Sequence, residues 1–192
     1  MKKNLILWVT ALILLLTALF VTKYYDNGSG NKILQNPAAQ VQSNLTQNSS
    51  SNSSVAQKAI DFTLTDLDGK KVSLKDFIGK NVYLNFWATW CPPCKSEMPE
   101  IEKVYQQYKD KDFVVLAVDL GEDKNIVKNF MQQNKYTFNI LLDSNQNVAT
   151  QYNINAIPVS YFINKDGNVV AKKIGALTGE EMQSYVKQLI GK

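Results

Sequence analysis

Two short, mostly apolar segments near the middle of the chain constrain its fold more than any other feature. Residues 81–87 and 113–119 are such segments, and each is followed by a stretch with helical spacing, residues 91–108 and 124–134. Apolar runs of this length are typical of strands that are covered on both faces. Strands that alternate with helices place those helices on the faces of a sheet, so the sequence predicts an α/β protein.

Further elements complete the prediction. A hairpin is predicted around Asp68-Gly69, with strands at residues 62–65 and 71–74. A short strand at 140–142, a short helix at 147–152, strands at 159–163 and 169–174 and a last helix at 178–190 follow. Thr178 and Glu181 have the spacing of a capping box. The predicted fold is a mixed central sheet flanked by helices and preceded by an N-terminal β-hairpin.

The N-terminal segment is predicted to anchor the chain in a membrane. Lys2 and Lys3 precede an apolar run over residues 5–21. A helix over residues 5–22 is about 27 Å long, close to the roughly 30 Å of a hydrocarbon core. Residues 1–26 are therefore predicted to be an uncleaved single-pass anchor with the N-terminus inside and the rest of the chain outside. A cleaved signal peptide and a buried core helix are the alternatives.

The composition then divides the rest of the chain. Residues 27–57 are rich in Asn, Ser and Gln, which predicts a flexible linker. Residues 58–192 are predicted to form one domain with 17 Lys against 16 acidic residues. This balance lacks the basic bias of a nucleic-acid-binding domain, so no nucleic-acid partner is expected.

The chain has neither Arg nor His, and only two cysteines, Cys91 and Cys94. Without His, Ser-His-Asp and Cys-His catalytic groups cannot form. Two cysteines are too few for a structural zinc site. We therefore expect no metal and no cofactor other than a redox-active disulfide between the two cysteines.

Cys91 and Cys94 lie where a buried strand gives way to a helix. The free N–H groups and the dipole at a helix N-terminus favour thiolate, the nucleophile in disulfide exchange. Cys91 is nearer the helix end, so we expect it to attack and Cys94 to resolve the mixed disulfide. Pro92 and Pro93 have no N–H, which leaves the N–H of Cys94 as the one donor at this corner. A less stabilised thiolate makes the dithiol a better reductant.

Residues 85–99, which read Asn-Phe-Trp-Ala-Thr-Trp-Cys-Pro-Pro-Cys-Lys-Ser-Glu-Met-Pro, resemble the active-site stretch of the TlpA/ResA-like thiol-disulfide oxidoreductases. These are membrane-anchored members of the thioredoxin superfamily, and the resemblance covers residues 58–192. It implies a thioredoxin-like fold and a cis-proline at Ile157-Pro158, opposite the cysteines, that helps to hold the substrate. The predicted substrate-binding residues are Trp90, Pro92, Pro93, Ile157 and Pro158.

Two further positions sharpen the resemblance. Thioredoxin itself has a buried Asp six residues before the first cysteine, whereas this chain has Asn85, which agrees with the TlpA/ResA-like pattern. In that family a Glu at the position of Glu97 lies near the cysteines and tunes their proton transfer. Glu97 is thus the third predicted catalytic residue, as the base for the resolving thiol. Alternatively, it only interacts favourably with the helix dipole.

The resemblance implies an extracytoplasmic enzyme that reduces disulfides of exported proteins. Apocytochrome c and proteins of envelope assembly are the expected clients, a membrane thiol carrier is the expected electron donor, and the domain is expected to be a monomer. An oxidase or isomerase of secreted proteins is the first alternative. The others are a thiol peroxidase of the AhpC/TSA type, which usually needs an Arg, and a metal carrier.

Overall fold

The computed structural model describes residues 15–17 and 57–191. Residues 15–17 are helical, and the remainder of the predicted anchor and nearly all of the predicted linker lie outside the described residues. Among the residues that are described, no helix combines the length and the apolar character needed to cross a membrane. The anchor and linker stay predictions.

The described domain is built on one sheet of seven strands in the order β2-β1-β5-β4-β3-β6-β7. β3 is parallel to β4, and β4 to β5, whereas β3 and β6 are antiparallel, so the sheet is mixed as predicted. The strands are β1 (Thr63–Asp66), β2 (Lys71–Ser73), β3 (Asn81–Trp87), β4 (Phe113–Leu120), β5 (Asn139–Asp143), β6 (Val159–Ile163) and β7 (Val169–Ile174).

Four helices pack on this sheet, and a short 3-10 helix, Leu74–Phe77, follows β2. Helices α1, α2 and α4 contribute to one buried cluster, and α3 and the 3-10 helix contribute to a second. The helices are α1 (Pro92–Tyr108), α2 (Lys124–Asn134), α3 (Asn147–Gln151) and α4 (Gly179–Ile190).

The central strand β3 shows why the apolar runs indicated an α/β fold. All seven of its residues are buried. Tyr83 and Trp87 belong to the cluster beneath α1, whereas Leu84 and Phe86 belong to the cluster on the other side of the sheet. Side chains alternate between the faces of a strand, so a strand covered by both layers needs apolar residues at nearly every position.

The predicted N-terminal hairpin forms, and it joins the main sheet. β1 pairs with β2 over Thr63–Thr65, and its other edge pairs antiparallel with β5. Strand ends differ from prediction by one residue in β1, β2 and β4, and β5 is one residue longer at each end. Hydrophobic patterns mark the centre of an element more clearly than its last residue.

The topology brings two distant segments to one edge of the sheet. β3 ends at Trp87 and leads into α1, while the antiparallel β6 begins at Val159. Phe86 pairs with Val159 at this edge. The loop that carries Cys91 and the loop that ends at Pro158 therefore lie side by side.

Candidate functional site

The two cysteines form a disulfide at the start of α1. Cys91 is the residue that caps the helix, and the Cα atoms of Cys91 and Cys94 are 5.3 Å apart. Pro92 and Pro93 occupy the first two helical positions, where an N–H would have no partner within the helix. The N–H of Cys94 donates to the sulfur of Cys91 at 3.2 Å, which is the donor expected from the sequence.

Solvent exposure differs among the residues around the disulfide. Trp90 is 65% exposed, and Pro92 and Pro93 are exposed beside it. Cys91 retains 3% exposure, whereas Cys94 is fully buried. Cys91 is therefore the more accessible of the two cysteines, although it is more enclosed than its place at a helix end suggests.

The loop before β6 covers Cys91. The Ile157–Pro158 peptide bond is cis, as the resemblance implied. The carbonyl oxygen of Ile157 lies 3.8 Å from the sulfur of Cys91. Pro158 is buried and Ile157 is half-buried, so Ile157 provides most of the surface that this pair offers. Of the predicted substrate-binding residues, Trp90, Pro92, Pro93 and Ile157 thus surround the disulfide at the surface.

Glu97 lies in the interior, one helical turn beyond Cys94, and is only 1% exposed. Its Oε1 accepts a hydrogen bond from Asn85 Nδ2 at 3.0 Å. Its Oε2 accepts from the backbone N–H of Leu177 at 2.9 Å. The alternative interpretation, a Glu that only interacts with the helix dipole, requires neither this burial nor these two hydrogen bonds.

Burial also changes the acidity of Glu97. Loss of solvation raises the pKa of this carboxyl to about 7, although the N–H groups of Leu177 and Asn85 favour its charged form. A group that titrates near neutrality can accept and return a proton at physiological pH. Glu97 is therefore chemically suited to exchange a proton with a neighbouring thiol.

Sequence reasoning missed a second carboxylate that contacts the active-site loop. Glu122 follows β4, and its Oε2 accepts from the N–H of Thr89 while its Oε1 accepts from Thr89 Oγ1 at 2.6 Å. Thr89 lies two residues before Cys91. This double contact joins the loop between β3 and α1 to the end of β4. A carboxylate placed just after a buried strand was the one local signal that could have indicated it.

Asp119 supports this contact from within the sheet. It is fully buried at the end of β4, and its Oδ1 accepts from the N–H of Glu122 at 3.2 Å. Burial, and then the carboxylates of Glu122 and Asp143, raise the pKa of Asp119 to about 8. Close carboxylates that are withdrawn from water resist ionising together, which favours the protonated form of Asp119. Among the described residues, no group of three or more acidic or cysteine side chains could hold a metal ion.

The mixed sheet, the Cys-Pro-Pro-Cys disulfide at a helix N-terminus and the cis-proline facing it define a thioredoxin-like protein of thiol-disulfide exchange. Residues 55–172 match the sequence model of the AhpC/TSA family. The thiol-disulfide oxidoreductase ResA of Bacillus anthracis is 42% identical over 135 residues, which cover 70% of this chain and 78% of that protein. The chain therefore belongs to the AhpC/TSA family and is a thiol-disulfide oxidoreductase of the ResA type.

Solved structures agree with this assignment. A putative thiol:disulfide interchange protein DsbE from Chlorobium tepidum is 30% identical, with a TM-score of 0.66, and the match covers 71% of this chain and 97% of that one. The exposed lipoprotein thioredoxin Etrx1 of Streptococcus pneumoniae is 30% identical, with a TM-score of 0.60 over 68% and 100% of the two chains. These two solved chains consist almost wholly of the matched part, so in these relatives a domain of this extent is folded on its own.

Proposed function

We propose that the protein is an extracytoplasmic reductant of disulfides in exported proteins, with apocytochrome c as the first candidate client. The observation that carries the direction of electron flow is the environment of Cys91. Its sulfur accepts a backbone hydrogen bond from Cys94, and the two prolines between them have no N–H to offer. A thiolate with few donors is less stabilised, which makes the dithiol form the stronger electron donor.

The proposed reaction starts from the dithiol. The Cys91 thiolate attacks one sulfur of the client disulfide, forms a mixed disulfide and expels the other client sulfur as a thiolate. Cys94 then gives its proton to Glu97 and attacks the Cys91 sulfur, which releases the second client thiolate. Two electrons pass to the client, and the Cys91–Cys94 disulfide of the described structure is the product.

The other predicted site residues are assigned to client binding. Trp90, Pro92 and Pro93 present exposed surface beside the disulfide, and the backbone of Ile157 runs past Cys91 just before Pro158 and β6. An extended client segment that lies along residues 157–158 brings its disulfide to the Cys91 sulfur.

Localisation and partners follow from the N-terminal sequence and the relatives. A predicted anchor with Lys2 and Lys3 inside places the domain outside the membrane. The description of a 30% identical thioredoxin as an exposed lipoprotein agrees with an extracytoplasmic site for this domain. A reductant in an oxidising compartment needs a supply of electrons, for which we propose a membrane thiol carrier.

The test is the reduction potential of the domain, residues 57–192, equilibrated with glutathione. A value below about −230 mV supports the reductant, and a value above about −180 mV overturns it in favour of an oxidase or isomerase. A thiol peroxidase is tested on the same sample by its rate of oxidation with hydrogen peroxide. A rate no faster than that of free cysteine excludes this alternative.

Clients are identified with the full chain. In the variant Cys94→Ser the mixed disulfide on Cys91 cannot be resolved, so clients remain attached and can be sequenced. Cys91→Ser is the matched control because it lacks the attacking sulfur. Capture of exported cysteine-containing proteins by the first variant alone supports the proposal, and equal capture by both contradicts it.

A further inference from the structure

A buried network of hydrogen-bonded polar side chains extends from Glu97 into the centre of the sheet. Asn85 Nδ2 donates to Glu97 Oε1 and, at 3.1 Å, to Ser160 Oγ. The hydroxyl of Ser160 in turn lies 3.0 Å from the hydroxyl of Tyr83. Each of the four residues is at most 1% exposed. Buried polar groups are costly unless they are paired, and these four side chains satisfy one another, so removing one of them leaves its neighbours without a partner.

The register of two strands creates this network. Asn85 on β3 and Ser160 on β6 are directly opposite each other, and Tyr83 is two residues before Asn85 on the same face. Side chains at opposite and diagonal positions of antiparallel strands are close enough to interact. Ser160 follows Pro158 by two residues, so the network also reaches the loop that covers Cys91.

The amide of Asn85 is held by its NH2 group. Within the described residues, Asn85 Oδ1 is buried and has no hydrogen-bond partner. The orientation of the amide therefore depends on the two acceptors of Nδ2, which are Glu97 and Ser160. If the amide turned over, its oxygen would face the carboxylate of Glu97, which is repulsive. Of these two acceptors, Ser160 is the one whose charge does not change with pH, so it fixes the amide while Glu97 titrates.

Tyr83 holds Ser160 in place. Its hydroxyl bonds to Ser160 Oγ, and its ring stacks on Phe162 with centroids 4.9 Å apart. Burial and the nearby Glu97 raise the pKa of Tyr83 well above its ordinary value, so its hydroxyl stays neutral while Glu97 titrates. A neutral hydroxyl is a donor and an acceptor at once, and it can keep Ser160 paired in either protonation state of Glu97.

We infer that Ser160 and Tyr83 are positioning residues, whose hydroxyls hold the Asn85 amide so that it donates to Glu97 and thereby set the proton affinity of that carboxylate. The inference deepens the proposed function and rests on it only for the consequence that client reduction depends on Glu97. In the described part of the chain, the hydroxyls of Ser160 and Tyr83 are hydrogen-bonded to each other, that of Ser160 also accepts from Asn85, and we place their action on Glu97 through that amide.

The groups around Glu97 make its titration a clean measure. From β3 it faces Tyr83, which does not titrate in the relevant range, and from its own helix it faces Cys94, which is held in the disulfide. The segment before α4 contributes the backbone N–H of Leu177. Glu181 of α4 forms its ion pair elsewhere, with Lys173.

The experiment follows the Glu97 side-chain carbon by NMR in the oxidised domain, residues 57–192, with Glu97→Gln used to assign the signal. Loss of the Asn85 hydrogen bond removes a donor from the carboxylate, so the midpoint of the Glu97 pH titration rises. We expect an upward shift of about one pH unit in Ser160→Ala and about half a unit in Tyr83→Phe. Ser160→Thr keeps the hydroxyl and restores the original midpoint.

Tyr161→Phe is the matched control. Tyr161 is the neighbour of Ser160 on β6, and its hydroxyl donates to the carbonyl of Tyr152 on the opposite face of the sheet. The substitution therefore removes one buried hydrogen bond of a similar kind and leaves the network that leads to Glu97 intact. Should Ser160→Ala fail to fold, Tyr83→Phe decides alone, because it preserves the ring that stacks on Phe162.

The inference and the proposed function fail separately. A Glu97 midpoint that moves no further in Ser160→Ala and Tyr83→Phe than in Tyr161→Phe overturns the inference, whatever the domain reduces. An upward shift of the Glu97 titration midpoint beyond that in Tyr161→Phe supports the inference, even where the reduction potential shows that the domain is an oxidant, and a downward shift overturns it.

Discussion

Glu97 on α1 accepts a hydrogen bond from the backbone N–H of Leu177, which lies 80 residues further along the chain, just before α4. This contact and the amide of Asn85 hold a carboxyl group in the interior, one helical turn from Cys94. Since burial raises the pKa of Glu97 to about 7, the group is half-ionised near physiological pH. Its position and acidity make it the base for the resolving thiol in our proposal.

Glu97→Gln is expected to slow the resolving step by about 100-fold near pH 7, because Gln cannot accept the proton of Cys94. The measurement is the second release of thionitrobenzoate when the reduced domain reacts with Ellman's reagent. In the wild type this rate should rise with pH through about 7 as Glu97 ionises, and the variant should lack that rise. Glu100→Gln, on the same helix and ion-paired with Lys103, is the control. A resolving rate that is equal in both variants would contradict the role of Glu97.

Trp90→Ala should weaken client binding without changing the chemistry. Its side chain is 65% exposed beside Cys91, and Trp is enriched among the residues that contribute more than about 1 kcal/mol at a contact surface. We expect KM for a disulfide-bonded client to rise by about tenfold, while the rate with Ellman's reagent is unchanged. Ile78 is 62% exposed at the other end of β3, so Ile78→Ala is the matched control. Equal effects of the two substitutions would show that Trp90 does not contact the client.

The contact between Glu122 and Thr89 is expected to hold the active-site loop in place. Glu122→Gln replaces one carboxylate oxygen with a donor, so the N–H or the hydroxyl of Thr89 loses its acceptor. We expect the attack by Cys91 to slow by about tenfold and amide hydrogen exchange at Thr89 to accelerate.

Glu102 supplies a matched control for this prediction. It accepts from both the N–H and the hydroxyl of Thr137, in the same arrangement but before β5. Glu102→Gln should therefore cost similar stability and leave the attack by Cys91 unchanged. An attack rate reduced to the same extent in both variants would indicate a general loss of stability.

Asp119→Asn should become more stable relative to the wild type as the pH rises. The folded protein raises the pKa of Asp119 to about 8, above the value of about 3.9 in an unfolded chain, so the unfolded state ionises first. The wild type consequently loses stability between about pH 4 and pH 8. The variant lacks this loss, so its stability relative to the wild type should increase steadily as the pH rises from about 4 to about 8.

Urea unfolding at several pH values measures this difference. Asp112→Asn should show the opposite sign, because the hydrogen bond and charge of Lys165 lower the pKa of the exposed Asp112. Its contribution is present at neutral pH and is lost in acid. A constant difference between Asp119→Asn and the wild type from pH 5 to pH 8 would show that Asp119 ionises freely in the fold.

Much of the fold was predictable because its signals are local. The bounds of β3, α2, β6 and β7 agree with the prediction, and Thr178 and Glu181 form the predicted capping box. The positions of Cys91 and Cys94 at a helix N-terminus followed in the same way from an apolar strand followed by two prolines. Each of these features depends on residues within a few positions of one another.

The layer architecture, the redox pair and the absence of imidazole and guanidinium chemistry can all be read from the amino-acid sequence. The polar groups that surround that pair are brought together by the folding of distant segments. Ser160 meets Asn85 through strand register, Leu177 meets Glu97 across 80 residues, and Glu122 meets Thr89 through the parallel pairing of β3 with β4. Such contacts depend on how distant elements align, and no periodicity or local propensity encodes that alignment, because it is selected by the packing of the whole domain.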